Sequence, residues 1–157
     1  MVVKMKNPLL EVAEIKVSYC TNDNPKFKIN SVDKAYSLLI SLWDMDTIEL
    51  QEEFKVLLLN RANEVLGVYP LSKGGITGTI VDQRLIFGVA LKCNATGIIL
   101  CHNHPSGNLK PSDADVTMTN KIKKCGQLFD IDLLDHLIIT KNGYYSFIQE
   151  GNFSLRV

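Results

Sequence analysis

Gly97-Ile98-Ile99-Leu100-Cys101-His102-Asn103-His104-Pro105, with Ser112 and Asp115 just beyond it, decides the reading of this chain. The apolar run Gly97–Cys101 reads as a buried strand, although periodicity alone leaves a helix open for so short a run. In an extended chain residues i and i+2 share a face, so His102 and His104 project together. They do so at the strand's end, where sites in α/β sheets tend to lie. Pro105 stops the strand, and Ser106-Gly107-Asn108 with Pro111 are loop residues. Ser112-x-x-Asp115 then opens a helix, with Ser112 as N-cap. Asp115 falls in the first turn, where a negative charge suits the helix dipole. Two imidazoles and a carboxylate make a mixed nitrogen and oxygen ligand set. Three protein ligands plus water build a catalytic zinc site, whereas structural sites are closed by four. The segment reads as an open metal site that activates water. The blander reading is an ordinary capping pair beside structural histidines.

Outward from this stretch the periodicities alternate. Leu10 to Tyr19 reads as a strand, and Thr21 to Lys28 as a polar loop holding Pro25. Ser31 caps a helix over about 31–44, in which Val32, Ala35, Leu38, Leu39 and Leu42 follow helical spacing. Asp44 to Thr47 is a break, which divides an N-terminal strand-helix extension, 1–46, from a core domain, 47–157. Phe54 to Leu59 is a strand, Asn60 to Glu64 a turn, and Val65 to Leu71 the returning strand of a hairpin. Gly74-Gly75 and Gly78 form a loop without the lysine-serine pair of a phosphate cradle. Asp82 caps a helix with Leu85, Ile86, Val89, Ala90 and Cys93 on its apolar face. The helix from Ser112 to about Gly126 lines one face with Met118, Ile122 and Cys125. Asp132 to Thr140 is a strand, and Asn142-Gly143 a two-residue hairpin turn before Tyr144 to Ile148. The core order β-β-α-β-α-β-β predicts an α/β domain, a mixed sheet flanked by helices.

The 157 residues suffice for one domain with a sizeable core. Lys+Arg and Asp+Glu are 17 each, giving a formal net charge of zero. No basic block stands out, so the footprint of a nucleic-acid binder is missing. Cys20, Cys93, Cys101 and Cys125 form no CxxC pair, and no signal peptide or membrane-length apolar stretch is seen. Unpaired cysteines without an export signal point to a reducing cytoplasm. Cys101 adjoins the first histidine, but strand alternation turns it into the core.

His102-Asn103-His104-Pro105-Ser106-Gly107, with Pro111-Ser112-x-x-Asp115, resembles the JAMM signature of the JAB/MPN metalloprotease superfamily, and within it the RadC-like branch. Other marks of that branch are Glu52-x-Phe54, Arg84 and Phe87, Leu133-Leu134-Asp135-His136-Leu137-Ile138-Ile139, and Ser146-Phe147. The resemblance covers roughly residues 48 to 153. It implies a JAB/MPN core, which is cytidine-deaminase-like. It also implies Zn2+ held by His102, His104 and Asp115, a glutamate as general base, and Ser112 assisting the oxyanion. Asp82-Gln83-Arg84-Leu85 stands where the family often has His-Pro-Arg-Glu, and none of these positions is a zinc ligand. Larger RadC-like proteins carry a helical half with a helix-hairpin-helix, whose pattern is not found in 1–46. The family's name suggests an association with DNA repair or mobile elements, and no strong nucleic-acid binding is expected of this chain.

For the base, Glu52 and Glu53 lie where the first core strand begins, and alternation sends them to opposite faces. Glu52 shares parity with Phe54 and matches Glu-x-Phe. Asp135-His136 is a candidate for a hydrogen bond behind the ligands, and Arg84 is either structural or substrate-facing. The expected activity is a zinc-dependent peptidase or isopeptidase acting on a peptide or protein substrate. The competing reading is a JAB/MPN scaffold or binding module without activity, and retention of ligands and base argues against it. A zinc deaminase needs His-x-Glu and Pro-Cys-x-x-Cys, and neither occurs. The letters His-Asn-His also suggest an HNH nuclease, but that motif spreads over a much longer hairpin.

Overall fold

The computed structural model describes residues 15–22, 24–75 and 78–151. Helix α1 spans Val32–Ser41, with the Ser31 hydroxyl accepting the Lys34 N–H at its start. Its end comes before the expected 44, because Trp43 is drawn into the core and its ring lies 3.7 Å beneath Lys55 Nζ. Five strands follow: β1 (Glu53–Leu59), β2 (Val65–Lys73), β3 (Gly97–Asn103), β4 (Asp132–Thr140) and β5 (Gly143–Ser146). Helix α2 (Gln83–Lys92) leads into β3, and helix α3 (Asp113–Gln127) crosses from β3 to β4. Half of the strand expected over Leu10–Tyr19, residues 10–14, lies outside the described residues, and the other half, 15–19, forms no strand.

The sheet order is β2-β1-β3-β4-β5, with β3 and β4 parallel and the other pairs antiparallel. The fold is thus an α/β domain with a mixed sheet and flanking helices, as the alternation predicts. Helices α2 and α3 cover one face, where Phe54, Val56, Leu58, Leu100 and Ile138 meet Ile86, Phe87 and Ile122. Helix α1 covers the other, where Leu57, Ile99, Cys101 and Leu137 meet Ala35, Leu39 and Trp43. The central strands are therefore buried on both faces, and β1 reads as an almost unbroken apolar run. Each side chain as fully buried as Leu57 or Leu100 contributes about 1.5–3 kcal/mol. Although α1 lies on the N-terminal side of the sequence break at 46/47, it packs Ala35 and Leu39 into this second layer.

Strand β5 ends at Ser146 rather than Ile148. There Ser146 donates its hydroxyl to Asp135 Oδ2 at 2.6 Å, and Phe147 turns into the core. Where α3 returns to β4, a side chain on Gly126 would collide with the Ile131 carbonyl oxygen, so only glycine fits this close approach. Among the described residues no helix is long and apolar enough to cross a membrane.

Candidate metal centre

The register builds the site. In the β1–β3 ladder Phe54 faces His102, and their rings stack at 5.7 Å. Glu52 precedes Phe54 by two residues and lines the same cavity as His104. Both histidines lie on the face covered by α2 and α3, while Cys101 points to the α1 face. Cys101 is fully buried, and that burial pushes its thiol pKa far up, so it stays a neutral core group. The middle residue of the motif, Asn103, acts as a clasp. Its amide donates to the Ile48 and Gln51 carbonyls at 2.7 and 2.9 Å, and its Oδ1 accepts the Glu53 N–H at 2.7 Å. Asn103 thereby holds the segment carrying Glu52 against β3.

Helix α3 delivers the carboxylate. Ser112 is the N-cap and Asp115 the reciprocal residue of a capping box. The Ser112 N–H and hydroxyl both donate to Asp115 Oδ2, at 2.7 and 2.6 Å. Asp115 Oδ1 then lies 3.2 Å from His102 Nε2. His102 Nε2 and His104 Nε2 are 3.0 Å apart, and His104 Nε2 is 3.6 Å from Asp115 Oδ2. The three groups can each offer a ligand atom within 4.8 Å of the others. His102 is 1% exposed, whereas His104 and Asp115 are 16% and 14% exposed, so the cluster is open on one side.

The electrostatics draw a positive charge to this point. Burial works to raise the Asp115 pKa, but the His102 and His104 rings beside it outweigh that and hold the carboxyl far below its usual range. Burial likewise pulls His104 down, yet Asp115 and the Asn108 carbonyl outweigh it and leave the ring raised. The two glutamates diverge as alternation requires. Glu52 is raised, chiefly by partial burial, and feels the charges of His102, His104 and Asp115. Glu53 faces away and pairs with Lys55 and Lys73 at 2.7 and 2.9 Å, which lowers it despite burial.

Two cavities flank the cluster and share Glu52, Thr79, Ala114 and Asp115. One, of about 530 Å³, has Phe54, Val81 and Met118 on its walls. The other, of about 450 Å³, runs along Pro105, Ser106, Lys110 and Ser112.

A family profile described as "RadC-like JAB domain" matches residues 29–152. This chain belongs to the RadC-like JAB domain family. A "UPF0758 protein" of Flavobacterium johnsoniae is 60% identical over 102 residues, covering 65% of this chain and 44% of that protein. One from Staphylococcus haemolyticus is 38% identical over 138 residues, covering 88% of this chain and 59% of its own length. One from Clostridium kluyveri is 48% identical over 101 residues, covering 64% of this chain and 44% of the relative. The chain thus spans about half the length of these relatives.

The donor set of this RadC-like JAB domain fits a divalent cation. A carbonyl can only accept, so the contact of His104 Nδ1 with the Asn108 carbonyl at 2.6 Å puts a hydrogen on Nδ1. In the neutral ring Nε2 then carries a lone pair aimed into the cluster. Asp115 Oδ2 is occupied by Ser112, which leaves Oδ1 free to bind. Tetrahedral bonds of zinc to nitrogen and oxygen ligands set ligand–ligand distances near about 3.3 Å, and the separations of His102 Nε2 from His104 Nε2 and from Asp115 Oδ1, 3.0 and 3.2 Å, lie close to that value.

Of the other sequence candidates, Arg84 lies exposed at the start of α2 and pairs with Asp82 at 2.7 Å, away from the cluster. The Asp135 carboxylate accepts from Ser146 and from the His136 and Ile148 N–H groups, and is therefore a buried structural node. The His136 ring does reach the ligands, at 2.8 Å from His102 Nδ1. Sequence reasoning missed Asn103 and Thr119. The only signal for Thr119 is its i+4 spacing from Asp115, which puts the two on one helix face.

Proposed function

We propose that this domain is a zinc-dependent hydrolase that cleaves an amide bond in a peptide or protein, as a peptidase or isopeptidase. One observation carries the reading: His102, His104 and Asp115 converge on one point in an open cleft with the half-buried carboxylate of Glu52 beside them. A zinc ion there supplies Lewis acidity, lowering the pKa of water and polarising a carbonyl. The residues supply the rest. Glu52, with its raised pKa, takes a proton from the attacking water and returns it to the departing nitrogen. The paired cavities leave room for substrate on both sides of the scissile bond. Ser112 holds Asp115 Oδ2 and, by re-aiming its one hydroxyl hydrogen, donates to the developing oxyanion.

Two measurements test this. Purified wild type is expected to hold one zinc per chain, and His104→Ala to lose it, as read by elemental analysis. Full zinc stoichiometry in His104→Ala refutes the site. A peptide library is then compared for wild type, Glu52→Gln and chelator-treated protein. Wild type should cleave, with Glu52→Gln slowed by about 10²–10⁴-fold, the usual contribution of a positioned base. Equal cleavage by Glu52→Gln overturns the mechanism. No cleavage by wild type across broad libraries favours a binding module built on the same fold.

A further inference from the structure

We propose that His136 and Thr119 are positioning residues that fix the tautomer of His102, aiming its Nε2 lone pair into the metal site. The inference rests on the zinc reading above, and it follows from a chain of hydrogen bonds in which the hydrogens from Thr119 to His102 Nδ1 are assigned in turn.

The chain starts at a group that can only accept. Thr119 Oγ1 lies 2.6 Å from the Asp115 backbone carbonyl, so the threonine hydroxyl donates there. Its one hydrogen is then used, and toward His136 Nδ1, also at 2.6 Å, Oγ1 can only accept. His136 Nδ1 therefore carries a hydrogen. The His136 ring is fully buried and stacks on Phe147 at 4.8 Å, with Phe54 at 5.8 Å on another side. Such surroundings disfavour an imidazolium, so the ring holds one hydrogen and its Nε2 is an acceptor. His102 Nδ1, 2.8 Å away, must donate to it. A neutral His102 then has its lone pair on Nε2, the atom 3.2 Å from Asp115 Oδ1 and 3.0 Å from His104 Nε2.

The chain closes on itself. It begins at the backbone of one ligand, Asp115, and ends on the ring of another, His102. The dependence on Asp115 ties the first turn of α3 to β3 and β4, the strands that carry His102 and His136. Ligating histidines commonly donate their second N–H to a carboxylate, carbonyl or water, and loss of such a partner typically costs about 10–100-fold in metal affinity. Here the partner is a second, buried imidazole that is itself oriented by a threonine. His104 is held differently, by the Asn108 carbonyl in the loop, so the two histidines have independent supports.

The test begins without metal. Long-range ¹H–¹⁵N correlation spectra of the zinc-free wild type at alkaline pH should show His102 protonated on Nδ1 and His136 protonated on Nδ1. His102 protonated on Nε2 instead overturns the proposal, whatever the variants do. Zinc affinity is then measured by chelator competition for wild type, His136→Leu, His136→Gln and Thr119→Val, with near-UV circular dichroism as the folding check. His136→Leu should bind zinc about 10–100-fold more weakly. His136→Gln, whose Oε1 can take the place of the Nε2 acceptor, should recover most of that loss. Thr119→Val should mix the His102 tautomers and fall between. A folded His136→Leu with wild-type affinity, or a glutamine variant no better than leucine, refutes the positioning role. Failure to find any cleaved peptide sinks the hydrolase reading and leaves these readouts untouched.

Discussion

At the scale of single residues, the motif's two histidines carry the candidate ligand atoms while the residue between them carries the geometry. Asn103 is fully buried and spends its whole amide on the 48–53 segment. Asn103→Ala leaves two carbonyls and one N–H without partners, at a cost of about 2–3 kcal/mol. It should also release Glu52 from its place in the cavity it shares with His104. The expected result is a lowered urea midpoint, together with loss of cleavage beyond what instability explains and with zinc content retained. Unchanged activity in a folded Asn103→Ala protein sinks the clasp. The histidine pair was legible in the sequence because strand alternation is a local rule. The direction of Glu52 against Glu53 was legible for the same reason. The positions of Asn103 and Thr119 were not, because each depends on a partner brought close by the fold: residues 48–53 for Asn103, and His136 of β4 set against α3 for Thr119.

At the scale of elements, the boundary residues decide how the chain acts. Ser31, Asp82 and Ser112 each cap a helix where the sequence places a capping residue. The differences arise where tertiary packing overrides local pattern. Helix α1 stops early because Trp43 is taken into the core, and β5 stops early because Ser146 and Phe147 are claimed by β4. The start of β1 shows a further element-level effect. Lys55 is nearly buried, over the Trp43 ring, and Glu53 neutralises it while also binding Lys73. Because the folded Glu53 pKa lies below its ordinary 4.5, the native state prefers the ionised carboxylate. Its stabilisation is full above that ordinary value and is lost as pH falls through the lowered one. Glu53→Gln should therefore be less stable than wild type at pH 7, by roughly 1–3 kcal/mol. The gap should shrink as both proteins are acidified below 4.5 in urea titrations. A gap that stays constant between pH 7 and pH 3 refutes the ion-pair account.

At the scale of the whole molecule, shape and charge point the same way, away from duplex DNA. The cleft presents Glu52, Asp115 and His104 beside walls that are partly apolar, which suits an uncharged amide with side chains on either side. A phosphate backbone would meet the carboxylates of Glu52, Asp113 and Asp115 there, against the two lysines Lys110 and Lys121. Over the full sequence 17 basic residues are matched by 17 acidic ones, and the pI is about 6.8. Non-specific affinity for duplex DNA comes mainly from counterions released as Lys and Arg neutralise phosphates, with a slope of about −0.9 in log K per contact. A chain with no excess of cations and a carboxylate-lined cleft has little to offer that exchange. Fluorescence anisotropy with a random-sequence duplex should give no submicromolar binding by this chain at physiological salt. Lowering the salt should strengthen any residual signal only weakly, because few phosphates are neutralised. A submicromolar complex with a steep salt dependence would mean that the local distribution of lysines matters more than the net balance. Because this chain covers about half of each relative's length, the same titration on a full-length RadC-like relative separates what the JAB domain contributes from what the rest of that protein adds.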